Sequence, residues 1–257
     1  MGTGTQGGAA VAGGRRAVTG RVDGDDVLRV EWPDPDGGRS GAEDGDIVLR
    51  HAETGEEHAG TALAGLAPGI WVVSYRGEPI ATDDPGFSLD GLMAYAAMPR
   101  EREIRAFRTS VGTLALTVRE VRPYVEVTGV VSDDGVVGVT GMIAYGEPIE
   151  GPARLVAVPR KGAEPVGGPG AFHGRSFEGG VRIEPMADGQ RRRRTFWDLY
   201  AEADGARLPL AARLDDVTDK KTKVRFPAQH VGQVRVRPYY TDTDSLAVAL
   251  TVEEEGT

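Results

Sequence analysis

The chain has 257 residues, no cysteine, four histidines and a formal net charge of −9. So acidic a chain lacks the Lys and Arg surplus with which nucleic-acid binders neutralise phosphates. Disulfides, thiolate metal sites and a Cys nucleophile are excluded, and His51, His58, His173 and His230 stand at no metal-ligand spacing.

In chain order, residues 1–14 are small and Gly-rich with no apolar signal segment, and read as a flexible tail. No apolar run is long enough to cross a bilayer, so the expectation is a soluble, cytoplasmic protein. The segments VLRVEW (27–32), IVLRH (47–51), IWVVSY (70–75) and IRAFRT (104–109) alternate as half-buried strands do. LDGLMAYAAM (89–98) suits a short helix or a strand connection. TLALTV (113–118), YVEVTGVV (124–131) and RLVAVP (154–159) continue the series, with Gly, Pro and Asp between them. Short strands at regular spacing predict an all-β chain of antiparallel Ig-like sandwiches.

The segments repeat. Arg105 to Val118 aligns without a gap on Arg237 to Leu250, matching Phe107 with Tyr239 and Leu114-Ala115 with Leu246-Ala247. Val18-Thr19-Gly20 matches Val127-Thr128-Gly129, and Trp71 matches Trp197. This predicts two tandem copies of one domain, at 15–120 and 121–252, with an acidic tail at 253–257.

The stretches PGIWVVSYRG, RRTFWDLYAEADGARLPLAARLDDVTDKKTKVRFP and RPYYTDTDSLAV carry a further pattern. They resemble the non-catalytic C-terminal β-sandwich modules of actinobacterial glycosyltransferases and glycerophosphotransferases of the teichoic-acid and polysaccharide kind. The resemblance covers most of 154–250 and, more weakly, 18–118. It implies an accessory module, because no Gly-rich phosphate loop or βαβ pattern corresponds to the transferase domain of those enzymes.

Few residues carry chemistry of their own. Asp242-Thr243-Asp244 has the form of a metal-holding carboxylate pair, but Ser110-Val111-Gly112 replaces it in the other copy, so a hairpin turn is expected. Asp25-Asp26, Asp133-Asp134 and Asp215-Asp216 read as turns, and no metal or other cofactor is implied. Trp71 and Trp197 are expected in the core. His173, in AFHGRSFEGG, lacks the constrained turn of a nucleophile, and Phe172 and Phe177 are expected to anchor a loop.

The candidate binding residues are Asp198, where the first copy has Val72, Tyr239 and Tyr240 on the last hairpin, and Arg191, Arg192, Arg193 and Arg194. The tyrosines should face opposite ways, one of them into the core. The arginine run could grip phosphates or an anionic membrane surface, or be a solvated loop.

The expected role is a binding or scaffold protein of cell-wall or exopolysaccharide synthesis. It would dock a glycosyltransferase, self-associate or hold a glycan. The alternatives are an enzyme with its site at an inter-domain cleft, and a lectin-like module.

Overall fold

The computed structural model describes residues 15–188, 190, 192–215 and 217–253. The N-terminal tail, Arg191, Asp216 and residues 254–257 of the acidic tail lie outside the described residues. The chain is mostly β, and contacts divide it into two compact units at Val121/Arg122, with Ala97–Pro99 counted in the second.

The first unit holds β1 (Arg16–Ala17), β2 (Thr19–Val22), β3 (Leu28–Pro33), β4 (Arg39–Gly41), β5 (Ile47–His51), β6 (Glu57–Ala59) and β7 (Gly69–Tyr75). After them come β8 (Glu78–Pro79), β9 (Ala81–Thr82), helix α1 (Leu89–Ala96), β10 (Arg102–Arg108) and β11 (Leu114–Glu120). The ambiguous segment at 89–98 thus resolves as a helix, which buries Leu92, Tyr95 and Ala96. One sheet runs β10-β11-β7-β5-β6, with β8 added on β7, and a second runs β2-β3-β4. Strand alternation sends Trp32, Leu49, Trp71, Val73, Leu114 and Leu116 into one core.

The second unit holds β12 (Tyr124–Asp133), β13 (Val136–Ala144), β14 (Ile149–Pro159), β15 (Val166–Gly174), β16 (Ser176–Arg182) and helix α2 (Glu184–Ala187). It continues through β17 (Arg194–Ala203), β18 (Ala206–Ala211), helix α3 (Lys220–Lys223), β19 (Gln229–Val231), β20 (Val234–Tyr240) and β21 (Leu246–Val252). Its core gathers Val125, Ile143, Leu155, Phe172, Phe177, Trp197, Leu199, Val248 and Leu250.

Equivalent hairpins in the two units share their register. Arg105 lies opposite Thr117 and Arg108 opposite Leu114; Arg237 lies opposite Ala249 and Tyr240 opposite Leu246. One strand further in, Leu116 faces Trp71 and Val248 faces Trp197. Beyond that, Val48 faces Ala59 in the first unit, and Val156 faces Gly167 in the second.

The second unit corrects the sandwich expectation. Its strands pair in the order β14-β15-β16-β13-β12-β18-β17 and then back to β14, a closed ring of seven, with β21, β20 and β19 extending from β17. An Ig-like sandwich leaves its two sheets unjoined; here β15–β16 and β18 join them. The β15–β16 segment, expected as a loop held by two Phe, is a hairpin whose Gly residues let the strands press together. A Cβ on Gly168 would stand 2.0 Å from the Gly180 carbonyl oxygen, the close approach that marks glycine at a barrel corner. Phe172 and Phe177 do anchor it, buried with ring centroids 4.9 Å apart.

Candidate functional site

Alternation on three neighbouring strands builds one outward face on the second unit. On β17, Arg194, Phe196 and Asp198 alternate with Trp197 and Leu199, which enter the core. The same side of β21 carries Ala247, Ala249 and Thr251, and that of β20 carries Arg235, Arg237 and Tyr239. Register aligns them in three rows: Arg194–Thr251–Arg235, Phe196–Ala249–Arg237 and Asp198–Ala247–Tyr239. The middle strand offers only small side chains, so the long ones on either side flank a trough. Its arginine end is a cavity of ≈ 440 Å³ lined by Arg193, Arg194, Arg235, Arg237, Ala249 and Thr251.

The cations here are not balanced locally. Among the described residues, neither Arg194 nor Arg237 has an acidic partner. The Arg194 guanidinium lies 5.0 Å from the Phe196 ring centroid, and Arg235 reaches Glu253 only at 3.9 Å. Burial, then the like charges of Arg235, Arg225 and Arg194, lower the Arg237 pKa below its ordinary value. The other end of the trough is paired: Arg160 donates to both oxygens of Asp198 at 2.7–3.1 Å, which raises its own pKa. Tyr239 packs 5.9 Å from Phe196, and burial pushes its phenol up against the opposing pull of Arg160.

The first unit lacks this arrangement. By the shared register, Glu103 stands where the second unit has Arg235, and Ile70 and Val72 stand where it has Phe196 and Asp198. Arg105, the counterpart of Arg237, donates to Glu103 at 2.8 Å. The scaffold therefore forms without a cluster of free arginines at this position.

The structure brings Asp198, Tyr239, Arg193 and Arg194 together on one face. Tyr240 points the other way, is 6% exposed and packs 5.5 Å from Phe226, so it belongs to the core and not to a site. Arg192 and Arg193 are exposed in a bend, whereas Arg194 already stands on β17, so the run is not one loop. Arg160, Arg235 and Arg237 were missed. For Arg235 and Arg237 the signal is the alternation in VRVRPYY, which places two arginines and Tyr239 on one side of a strand.

Asp242 and Asp244 sit in a hairpin turn. Lys221 Nζ donates to both Asp242 oxygens at 2.9 Å, and Asp244 adopts φ 56° with Lys220 Nζ 4.0 Å away. Among the described residues, no group of three or more His, Asp or Glu is placed to hold a metal ion. Asp134 and Gly135 form the β12–β13 turn at φ 47° and 72°. Asp26 does more than turn the chain: it accepts from Tyr95 Oη at 2.5 Å and from Arg100 at 2.7 Å.

No protein-family model and no curated protein matches the sequence. Among solved structures, the chain is similar to S. aureus TarS, with 13% identity and a TM-score of 0.39 over 62% of this chain and 29% of that one. A TarS fragment, residues 217–571, matches at 12% identity and TM-score 0.39 over 63% of this chain and 51% of the fragment. No helix is long and apolar enough to cross a membrane among the described residues.

Proposed function

We propose that this chain is a non-catalytic binding module of cell-wall or exopolysaccharide synthesis. In this reading the arginine trough of the second unit holds an anionic, phosphate-bearing glycan for a transferase working in the cytoplasm. One observation carries the reading. At matched register the first unit neutralises Arg105 with Glu103, while the second leaves Arg237 and Arg194 without an acid among the described residues and adds Arg235. Guanidinium groups so crowded repel one another, and a multiply charged anion relieves that repulsion while accepting forked hydrogen bonds. Small residues along β21 leave room for it, and Phe196 and Tyr239 offer ring faces alongside.

The test is retention of the full chain on immobilised poly(glycerol phosphate), with neutral dextran as control. Retention on the phosphate polymer, weakening as salt rises and lost in the Arg194→Ala/Arg237→Ala double variant, is the expected result. Equal retention on both polymers, or a double variant that binds as well as the parent, overturns the reading.

A further inference from the structure

The second unit carries another recess, which shares no lining residue with the cavity of the arginine trough. It lies at one mouth of the barrel, between the β14–β15 loop and α2, and measures ≈ 450 Å³. That size falls within the ≈ 300–1,000 Å³ typical of small-molecule sites, and barrel mouths are among the places such sites form. Val166, Pro185 and Met186 give it apolar walls, and Thr195 and Trp197, successive inward residues of β17, line its inner part.

Two polar atoms there lack partners among the described residues. Trp197 is 3% exposed, and its indole Nε1 finds no acceptor among them; nor does Thr195 Oγ1, also buried, bond to any of them. The matched tryptophan of the first unit is different. Trp71 Nε1 donates to the Ala67 carbonyl at 3.0 Å, so the chain itself satisfies it. A buried indole N–H left without an acceptor loses its solvation for nothing in return, unless something entering the recess accepts from it.

We infer that the barrel mouth of the second unit binds a small neutral polyol or sugar ring, one hydroxyl of which accepts from Trp197 Nε1 while another bonds Thr195 Oγ1. An indole N–H only donates, so its partner must be an acceptor oxygen, and a hydroxyl on either side suits Thr195. The charged rim selects neutrality: Lys161 and Arg192 are balanced by Glu164 and Asp188. The apolar walls suit the C–H faces of a ring.

The chain contains three tryptophans, so indole N–H signals of the ¹⁵N-labelled full chain give three separable probes. Glucose, N-acetylglucosamine, ribitol and inorganic phosphate are titrated separately to about 10 mM, enough to reveal a 1 mM Kd. The expected result is a saturating shift of the Trp197 signal, assigned through Trp197→Phe, with at least one of the three polyhydroxylated probes. Trp71 serves as the bonded control. Trp32, whose Nε1 finds no acceptor among the described residues but whose ring lies under the Arg15 guanidinium, serves as the unbonded one. Thr195→Val is nearly isosteric and should weaken binding about fivefold, the loss of one neutral hydrogen bond. No Trp197 shift with any of the three, an equal shift of all three indoles, a response to phosphate alone, or undiminished binding by Thr195→Val would each overturn the inference.

Discussion

Trp71 and Trp197 hold the same place in the two units, each facing a core aliphatic of the neighbouring hairpin strand: Leu116 for Trp71, Val248 for Trp197. Among the described residues only Trp71 of the two has an acceptor for its indole, the Ala67 carbonyl. Replacing Trp by Phe removes a similar amount of apolar surface at both sites but breaks a hydrogen bond at one. Trp71→Phe should therefore cost about 1 kcal/mol more than Trp197→Phe, read from urea midpoints of the two variants. Equal costs would mean that the Ala67 bond contributes nothing net.

Much of this architecture was legible from the chain. The alignment of Arg105–Val118 on Arg237–Leu250 corresponds to hairpins paired in the same register, because side-chain alternation and turn length together leave little choice. Closure of the second unit was not legible. It depends on β15 and β16, where VGGPGAFHG and SFEGGVR carry so many glycines that they read as a loop. Their strand character comes from pairing with β14 and β13, a long-range effect that local pattern does not report. The arginine trough is half legible: Arg193, Arg194, Asp198 and Tyr239 stand out in the sequence, but no local pattern shows that β20 lays Arg235 and Arg237 two strands away from Arg194 and Asp198.

The two hairpin loops make the same internal bonds. Thr109 N donates to Thr113 O at 2.8 Å and Thr241 N to Ser245 O at 2.9 Å, while the Gly112 and Asp244 carbonyls each accept a backbone N–H at 2.9 Å, from Thr82 and Ala212. Gly112 (φ 84°) and Asp244 (φ 56°) fill the same left-handed position. Gly112→Val should cost about 1–2 kcal/mol, the penalty for an L-residue forced into this region, and Gly112→Asn distinctly less, since short polar side chains tolerate it. Asp244→Gly should be close to neutral and leave thermal stability insensitive to added calcium. A calcium-dependent rise in melting temperature that Asp244→Gly abolishes would restore the metal reading.

Asp198 and Arg160 form an exposed pair, with side chains 32% and 42% accessible. Such pairs contribute about 0–1 kcal/mol, so Asp198→Asn should barely move stability. It should, however, release Arg160 toward the trough and remove the one carboxylate in its three rows. Binding of poly(glycerol phosphate) should tighten severalfold and become more sensitive to salt, whereas Arg237→Ala should weaken it. Fluorescence anisotropy of a labelled polymer across a salt series reads both effects. Unchanged affinity in Asp198→Asn would show that the trough does not sense the pair.

Glu126 gives the second unit a pH signature of its own. Its carboxyl stands on β12, 4% exposed, and accepts from Tyr124 Oη at 2.9 Å, from Arg213 N at 2.8 Å and from Leu214 N at 3.0 Å. Burial outweighs those donors and raises its pKa above the ordinary 4.5. A raised folded-state pKa means that the folded chain holds the proton more tightly than the unfolded chain. The resulting stabilisation is fully present below 4.5 and is lost as pH climbs through the folded value. Glu126→Gln cannot ionise and stays near the protonated parent, so its stability relative to the parent should rise across that window. Asp23, Glu31 and Asp44, whose pKa values are lowered, act in the opposite sense but are common to both proteins and cancel in the difference. Urea unfolding of the two at one pH below 4.5 and one near neutrality measures it. A gap that stays constant or closes with rising pH would mean that the three donors, and not burial, govern this carboxylate.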